Sequence, residues 1–218
     1  MLKEIFIGRH PSHFQINPLI KAFIIAEMLL WSAWNFVTPI FAIFANNIPG
    51  GGVEIAASAF SLYLVVRVIF ELISGRYLSN STEIKKFALT IFGMIIMSMA
   101  YIGLSFTRNV AQIFIFYSII GMGLGIASPA KNSLFSSHLD KNKEAIEWGI
   151  SDATIFMGMA LSSMVGGFIA NRYGFSLLFI LAAVVNLLGI IPYLLYMHQA
   201  KQDFLGKIIE RIEGALQI

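Results

Sequence analysis

The sequence predicts an all-α integral membrane protein of six transmembrane helices. Three observations carry that reading. The 218 residues are 57% hydrophobic and 12% charged, about half the charge of an ordinary soluble domain. The apolar residues collect into stretches long enough to cross a hydrocarbon layer of about 30 Å, which takes about 20 helical residues. The joints between these stretches carry helix breakers and polar turns.

The six spans fall at 18–45, 53–78, 84–106, 110–135, 148–171 and 175–198. Asn46-Asn47-Ile48-Pro49 followed by Gly50-Gly51-Gly52 stops the first. Ser79-Asn80-Ser81-Thr82 makes a polar turn after the second, and Arg172-Tyr173-Gly174 closes the fifth. Pro39, Pro129 and Pro192 lie inside spans, which membrane helices tolerate where neighbours satisfy the freed backbone.

Basic residues set the expected orientation. Lys3, Arg9, Lys21, Arg76, Lys85, Lys86, Lys141, Lys143, Lys201, Lys207 and Arg211 share one side, against Arg108 and Arg172 on the other. The positive-inside rule puts the richer side, with both termini, in the cytoplasm. Residues 1–17 are expected to be a cytoplasmic segment, because they lack the apolar core of a secretory signal. Residues 18–198 form the transmembrane domain. In 199–218, Phe204, Leu205, Ile208, Ile209, Ile212 and Leu216 recur at helical spacing among Lys207, Glu210, Arg211 and Glu213. That pattern is an amphipathic helix on the cytoplasmic face, a surface anchor before a partner-binding element.

Several classes drop out. There are no cysteines, so thiol chemistry and disulfides are excluded. His10, His13, His138 and His198 sit at helix ends or tails without metal-ligand spacing. No basic run suits nucleic acid, and no cofactor site is expected.

Five ionisable residues fall inside the spans: Glu27, Arg67, Glu71, Lys131 and Asp152. Each costs roughly 3 kcal/mol if it faces lipid, so each is expected to face protein or water. They lie on helices 1, 2, 4 and 5, which are therefore expected to line an interior or a subunit interface while helices 3 and 6 face outward. Glu27, Glu71, Lys131 and Asp152 fall roughly 5–10 Å from the cytoplasmic helix ends, with Arg67 nearer the midplane. Arg67 and Glu71 are one turn apart and can pair. Lys131 and Asp152 have opposite sign and similar depth. The structural reading of the group is a salt-bridge layer closing the cytoplasmic side; the functional reading is proton coupling or gating by Glu27, Glu71 and Asp152. Glu27 leads, because no basic residue lies within one turn of it on its helix. A carboxylate out of water and away from a cation holds its proton more readily.

Trp31, Trp34 and Asn35 lie about halfway along helix 1. With Arg67 and Lys131 they are the candidate substrate-binding residues, set against plain helix packing. Gly121, Gly123 and Gly125, and Gly158, Gly166 and Gly167, read first as helix-contact positions.

These residues together resemble the major facilitator superfamily of secondary transporters. Helix 2 ends Phe70-Glu71-Leu72-Ile73-Ser74-Gly75, then Arg76-Tyr77-Leu78-Ser79 and Lys85-Lys86, similar to that family's helix 2–3 loop. Its usual aspartate falls on Ser79 and its Gly-Arg on Thr82-Glu83. Helix 4 carries Gly121-Met122-Gly123-Leu124-Gly125 and Ser128-Pro129, with Tyr117 where an arginine is common. Helix 5 carries Gly158, Ser162-Ser163 and Gly166-Gly167-Phe168-Ile169-Ala170-Asn171-Arg172-Tyr173-Gly174-Phe175.

The resemblance implies one six-helix half built from 3+3 inverted repeats. It implies a dimer of halves, either a parallel homodimer or a pairing with another half. It implies alternating-access transport of a small solute, sugar-like or a drug, in the inner (plasma) membrane of a prokaryote. The alternatives are a non-transporting membrane module and a subunit of a heterodimeric transporter. An enzyme is disfavoured, since no nucleophile–base or metal constellation is visible. A reporter fused after Ile218 is expected to read out in the cytoplasm; an external signal would overturn the charge-derived topology.

Overall fold

The computed structural model describes residues 16–198 and 200. Most of the 1–17 segment and nearly all of the 199–218 amphipathic helix lie outside the described residues. The described residues contain helices and no strands. Six helices are long and apolar enough to cross a membrane: α1 Pro18–Asn46, α2 Val53–Leu78, α3 Glu83–Ser105, α4 Val110–Ser137, α5 Glu144–Tyr173 and α6 Phe175–His198. The spans alternate in direction, so α1 starts and α6 ends on one side, here called the terminal side.

Local chemistry sets the ends. Asn17 caps α1 by accepting the Leu19 N–H at 3.0 Å, with Pro18 in the first turn where a missing N–H costs nothing. Asn109 caps α4 in the same way through the Gln112 N–H at 3.0 Å. Gly174, at φ 89°, is the single residue between α5 and α6, in a conformation that favours glycine. α1 is not uniform. Its α-helix Pro18–Val37 passes through a 3-10 turn, Thr38–Ile40, before Phe41–Asn46. Pro39 has no N–H for the Asn35 carbonyl; Ser163 Oγ on α5, which donates to the Met159 carbonyl at 2.8 Å, lies 3.4 Å from that oxygen as a second, weaker acceptor.

The packing has an internal symmetry. α1 lies against α5 and α6, α4 lies against α2 and α3, and α3 meets α6. Exchanging α1–α3 with α4–α6 maps this pattern onto itself, as two inverted three-helix repeats require. Glycines make the close approaches possible. A Cβ at Gly125 would stand 2.6 Å from the Arg67 carbonyl oxygen on α2, and one at Gly123 would stand 2.6 Å from the Gly93 carbonyl oxygen on α3. Gly158 and Gly166 turn toward α1. α3 and α6 are joined by the buried Asn186 amide, which donates to the Met94 carbonyl and to Ser98 Oγ, both at 2.8 Å.

One expectation is corrected here. Helices 3 and 6 do not face only outward: each buries one side in the bundle and leaves an apolar side exposed. About 56% of the apolar stretch of α3 is buried and 44% of α6, against 17% in both α2 and α5. α3, without charge, is apolar on both faces: Phe87, Met94, Met97, Tyr101 and Leu104 are buried, while Phe92, Met99 and Ile102 are exposed. α2 and α5 are the spans this chain leaves most open.

Gly125 and Gly167 make a paired test. A Cβ at Gly125 meets the α2 backbone, whereas one at Gly167 meets nothing within 4 Å. Gly125→Ala is expected to cost about 1–3 kcal/mol through overpacking, and Gly167→Ala to be neutral or slightly stabilising by helix propensity. Thermal melts in detergent measure both.

Candidate functional site

Glu27 is the centre of the polar chemistry inside the bundle. It lies nine residues into α1, about 13 Å from the helix start at the usual rise, deeper than the expected 5–10 Å. It is 9% exposed. Its carboxylate takes donors from three helices. Lys131 Nζ of α4 forms a short ion pair with Oε2. The Tyr193 hydroxyl of α6 donates to Oε1 at 2.9 Å. The Trp31 indole N–H, one turn along α1, donates to Oε2 at 3.2 Å. Lys131 is itself 5% exposed and sits 5.8 Å from the Trp31 ring centroid, within cation–π range.

Sequence position hid this arrangement. Glu27 lacks a basic neighbour on its own helix, but α4 delivers one 104 residues away. Lys131 pairs with Glu27 rather than with Asp152. A buried charge takes whichever opposite charge the packing presents at its own depth and face, and α4 turns Lys131 toward α1. Asp152 is left exposed on α5. Beside the pair is a cavity of about 30 Å³ bordered by Ser151, Trp148, Asn132 and Phe135, the space of one water molecule.

The other candidates fall into a second group. Arg67 Nε pairs with Glu71 Oε2 at 3.3 Å, and Nη1 donates to the Tyr63 hydroxyl at 3.4 Å. Tyr63 stacks on Trp34, with ring centroids 4.8 Å apart, and Trp34 also approaches Tyr117. Trp34 is therefore a packing residue, 8% exposed. Trp31 is half-buried on the Glu27 side. The Asn35 amide donates one N–H to the Trp31 carbonyl of its own helix at 3.1 Å. The two tryptophans and Asn35 do not form one wall. Trp31, Glu27 and Lys131 come together; Arg67 and Glu71 form a separate pair; Asp152 stands apart from both.

Tyr193 and Tyr63 are the residues that a search for charge missed. Each is an uncharged ring in an apolar span. The available signal was that a buried tyrosine hydroxyl needs a partner. On the terminal side, Lys86 Nζ donates to Ser133 Oγ at 2.8 Å and His138 Nε2 lies 3.5 Å from Glu83 Oε1, tying the start of α3 to the end of α4. Among the described residues no group of His, Asp and Glu is placed to hold a metal ion.

Six apolar spans in two inverted repeats, with a buried ion pair joining the first helix of each repeat, define a multi-pass membrane protein. The chain belongs to the Major Facilitator Superfamily, whose family model matches residues 23–208. It is similar to the proton-coupled antiporter flippase LtaA of Staphylococcus epidermidis, with 25% identity over 118 residues, 51% of this chain and 30% of LtaA. It is similar to the multidrug resistance protein MdtG of a Rahnella species, with 22% identity over 185 residues, 82% of this chain and 45% of MdtG. The crystal structure of the POT family transporter PepTSo superposes with a TM-score of 0.73 at 15% identity, over 83% of this chain and 37% of that one. The chain thus spans less than half the length of each.

Breaking the buried pair from one side is expected to cost about 3–5 kcal/mol, because it strands an uncompensated charge. Glu27→Leu should show that loss in denaturation of the purified protein. The double variant Glu27→Leu/Lys131→Met should recover most of it. A double variant no more stable than Glu27→Leu would show that the two groups are not coupled.

Proposed function

We propose that this chain is one six-helix half of a secondary active transporter of a small solute, working by alternating access with Glu27 as the proton carrier. The observation that carries the reading is a single carboxylate holding donors from α1, α4 and α6 at once. A proton on Glu27 removes the negative charge that compensates Lys131. α1 and α4 then lose the attraction that joins the two repeats, and the freed ammonium can meet an anionic group or water. A carboxylate whose charge state governs three helices is the kind of element by which a proton gradient can bias a two-state bundle.

This coupling differs from one driven by repulsion between two copies of Glu27 across an axis. Glu27 is turned into its own bundle, so its partner is Lys131. A six-helix half leaves α2 and α5 largely uncovered, and a second copy of this chain in parallel orientation is the proposed cover. Both termini are proposed to be cytoplasmic. As substrate, a drug-like or amphiphilic solute is favoured over a sugar. The 310 Å³ cavity between α1 and α2 is lined by Phe41, Val53, Ala56, Phe60 and Tyr117, with Thr38 its one aliphatic hydroxyl. Relatives named as a flippase and a multidrug resistance protein point the same way.

Proteoliposomes with an imposed pH gradient test the reading, with ethidium as a lipophilic cation and a fluorescent lipid analogue as probes. Wild-type protein is expected to move at least one of them in response to the gradient. Glu27→Gln is expected to lower that response tenfold or more while leaving probe binding intact. Unchanged gradient-driven movement in Glu27→Gln would rule out the proton role.

A further inference from the structure

Among the described residues three charged side chains are buried: Glu27, Lys131 and Glu147. The first two form the ion pair of the site, which does not use Glu147. Glu147 lies three residues into α5, near the terminal side, and is 1% exposed. Its Oε2 accepts the Asp140 N–H of the α4–α5 linker at 2.9 Å. Its Oε1 is buried with no hydrogen-bond partner among the described residues. A buried polar atom left open is costly and rare, and it marks a place where the fold gives up stability for something else.

The surroundings of Glu147 say what that is. One turn nearer the terminal side than Glu27 and Lys131 stand Phe23 of α1 and Phe135 of α4, with ring centroids 6.4 Å apart. The Trp148 ring stands edge-on to Phe135 at 4.6 Å. These rings separate the ion pair from the terminal side. α5 brings Ser151, 3% exposed, to the wall of the one-water cavity beside the pair. It sets Glu147 one turn nearer the terminal side, about 6 Å along the axis. Residues four apart share a helix face, and helical side chains lean toward the helix N-terminus, so Ser151 leans over the turn that holds Glu147. In the layer where α1 and α4 place phenylalanine, α5 places a carboxylate.

We propose that Glu147 and Ser151 carry protons between the terminal side and Glu27, past the aromatic layer. A proton from terminal-side water joins Glu147 Oε1 and neutralises the carboxylate. Glu147 then gives a proton to a lone pair of the Ser151 hydroxyl as that hydroxyl hands its own to a water in the cavity. The water passes one proton on to the Glu27 carboxylate. Glu147 is again a carboxylate, Ser151 a hydroxyl and the water a water, so one proton has moved and nothing is consumed. The charged groups at the entrance are Asp140 and Lys143 of the linker, with Lys143 Nζ 3.1 Å from Asp140 Oδ2, and His138 at the end of α4, 3.5 Å from Glu83. Lys21 of α1 and His198 of α6 lie on the same side, both exposed. At the inner end Glu27 faces Lys131 and Tyr193. The proposal rests on Glu27 as the proton carrier and adds the path that reaches it from one side of the membrane.

Time-resolved infrared spectra of the protein in lipid nanodiscs, after flash release of a caged proton, test the route without a substrate. In wild type a protonated-carboxyl band is expected to rise, and Glu27→Gln to remove the part that belongs to Glu27. Glu147→Gln is expected to keep the Glu27 amplitude and to slow its rise at least tenfold. The glutamine still accepts the Asp140 N–H through its amide oxygen, so the linker stays in place. Ser151→Ala is expected to slow the rise severalfold, and Ser151→Thr, which keeps a hydroxyl, to restore it. If circular dichroism shows that Glu147→Gln does not fold, the two Ser151 variants decide alone. A wild-type rate in either Glu147→Gln or Ser151→Ala would overturn the route, as would slowing in Ser151→Ala that Ser151→Thr does not restore. A slow rise in Asn132→Leu beside a wild-type rate in Glu147→Gln would send the proton through the cavity mouth instead. A spectrum unchanged by Glu27→Gln would remove the proton role of Glu27 itself, and the route with it.

Discussion

The ion pair between Glu27 and Lys131 joins the first helix of one three-helix repeat to the first helix of the other. Both groups are nearly enclosed, so neither can be left alone without a large desolvation cost. The network around them follows from that constraint. Tyr193 and Trp31 donate to the carboxylate because two charges in a low-dielectric core need their remaining lone pairs filled. Three helices therefore converge on one carboxylate, and the cavity beside it is no larger than a water molecule needs.

The rest of the bundle is organised around close backbone approach. Without a hydrophobic drive between helices in lipid, association depends on shape and on interhelical hydrogen bonds. Gly121 and Gly125 let α4 lie against α2, and Gly123 against Gly93 lets it lie against α3. α5 approaches α1 through Gly158 and Gly166. There the Ser163 hydroxyl, bonded to the Met159 carbonyl, also approaches the Asn35 carbonyl that Pro39 leaves open. This contact sits where α1 passes from α-helix into its 3-10 turn.

The spans, their number and most of their ends were legible in the sequence. Length, apolar content and breakers act locally, and the bilayer demands all three at once. The fourth helix runs about half a turn and the fifth about one turn further toward the terminal side than the apolar stretches suggested, because Ser136, Ser137, Glu144 and Glu147 continue the helix in the polar layer. The glycine rows were legible for the same reason: small residues at helical spacing inside apolar spans have little other use. Glu27, Arg67, Glu71, Lys131 and Asp152 could be named from their cost alone.

Pairing was not legible. Arg67 and Glu71 could be matched because one helical turn brings them together whatever the fold does. Lys131 was matched to Asp152 by sign and depth, yet it faces Glu27, since the rotation of α4 about its own axis is set by glycine contacts with α2 and α3. α3, uncharged, was placed outside and is the most enclosed span, because an apolar helix is equally suited to lipid and to a protein core. The sequence by itself determined that the chain crosses a membrane six times, where it turns, and which side chains are too costly to leave in lipid. Those properties depend on composition within one span. Only the tertiary structure decided which charge meets which, that Tyr193 completes the site, and that α2 and α5 stay open. Those depend on the rotation and lateral order of helices, which emerge from packing between residues far apart in the chain.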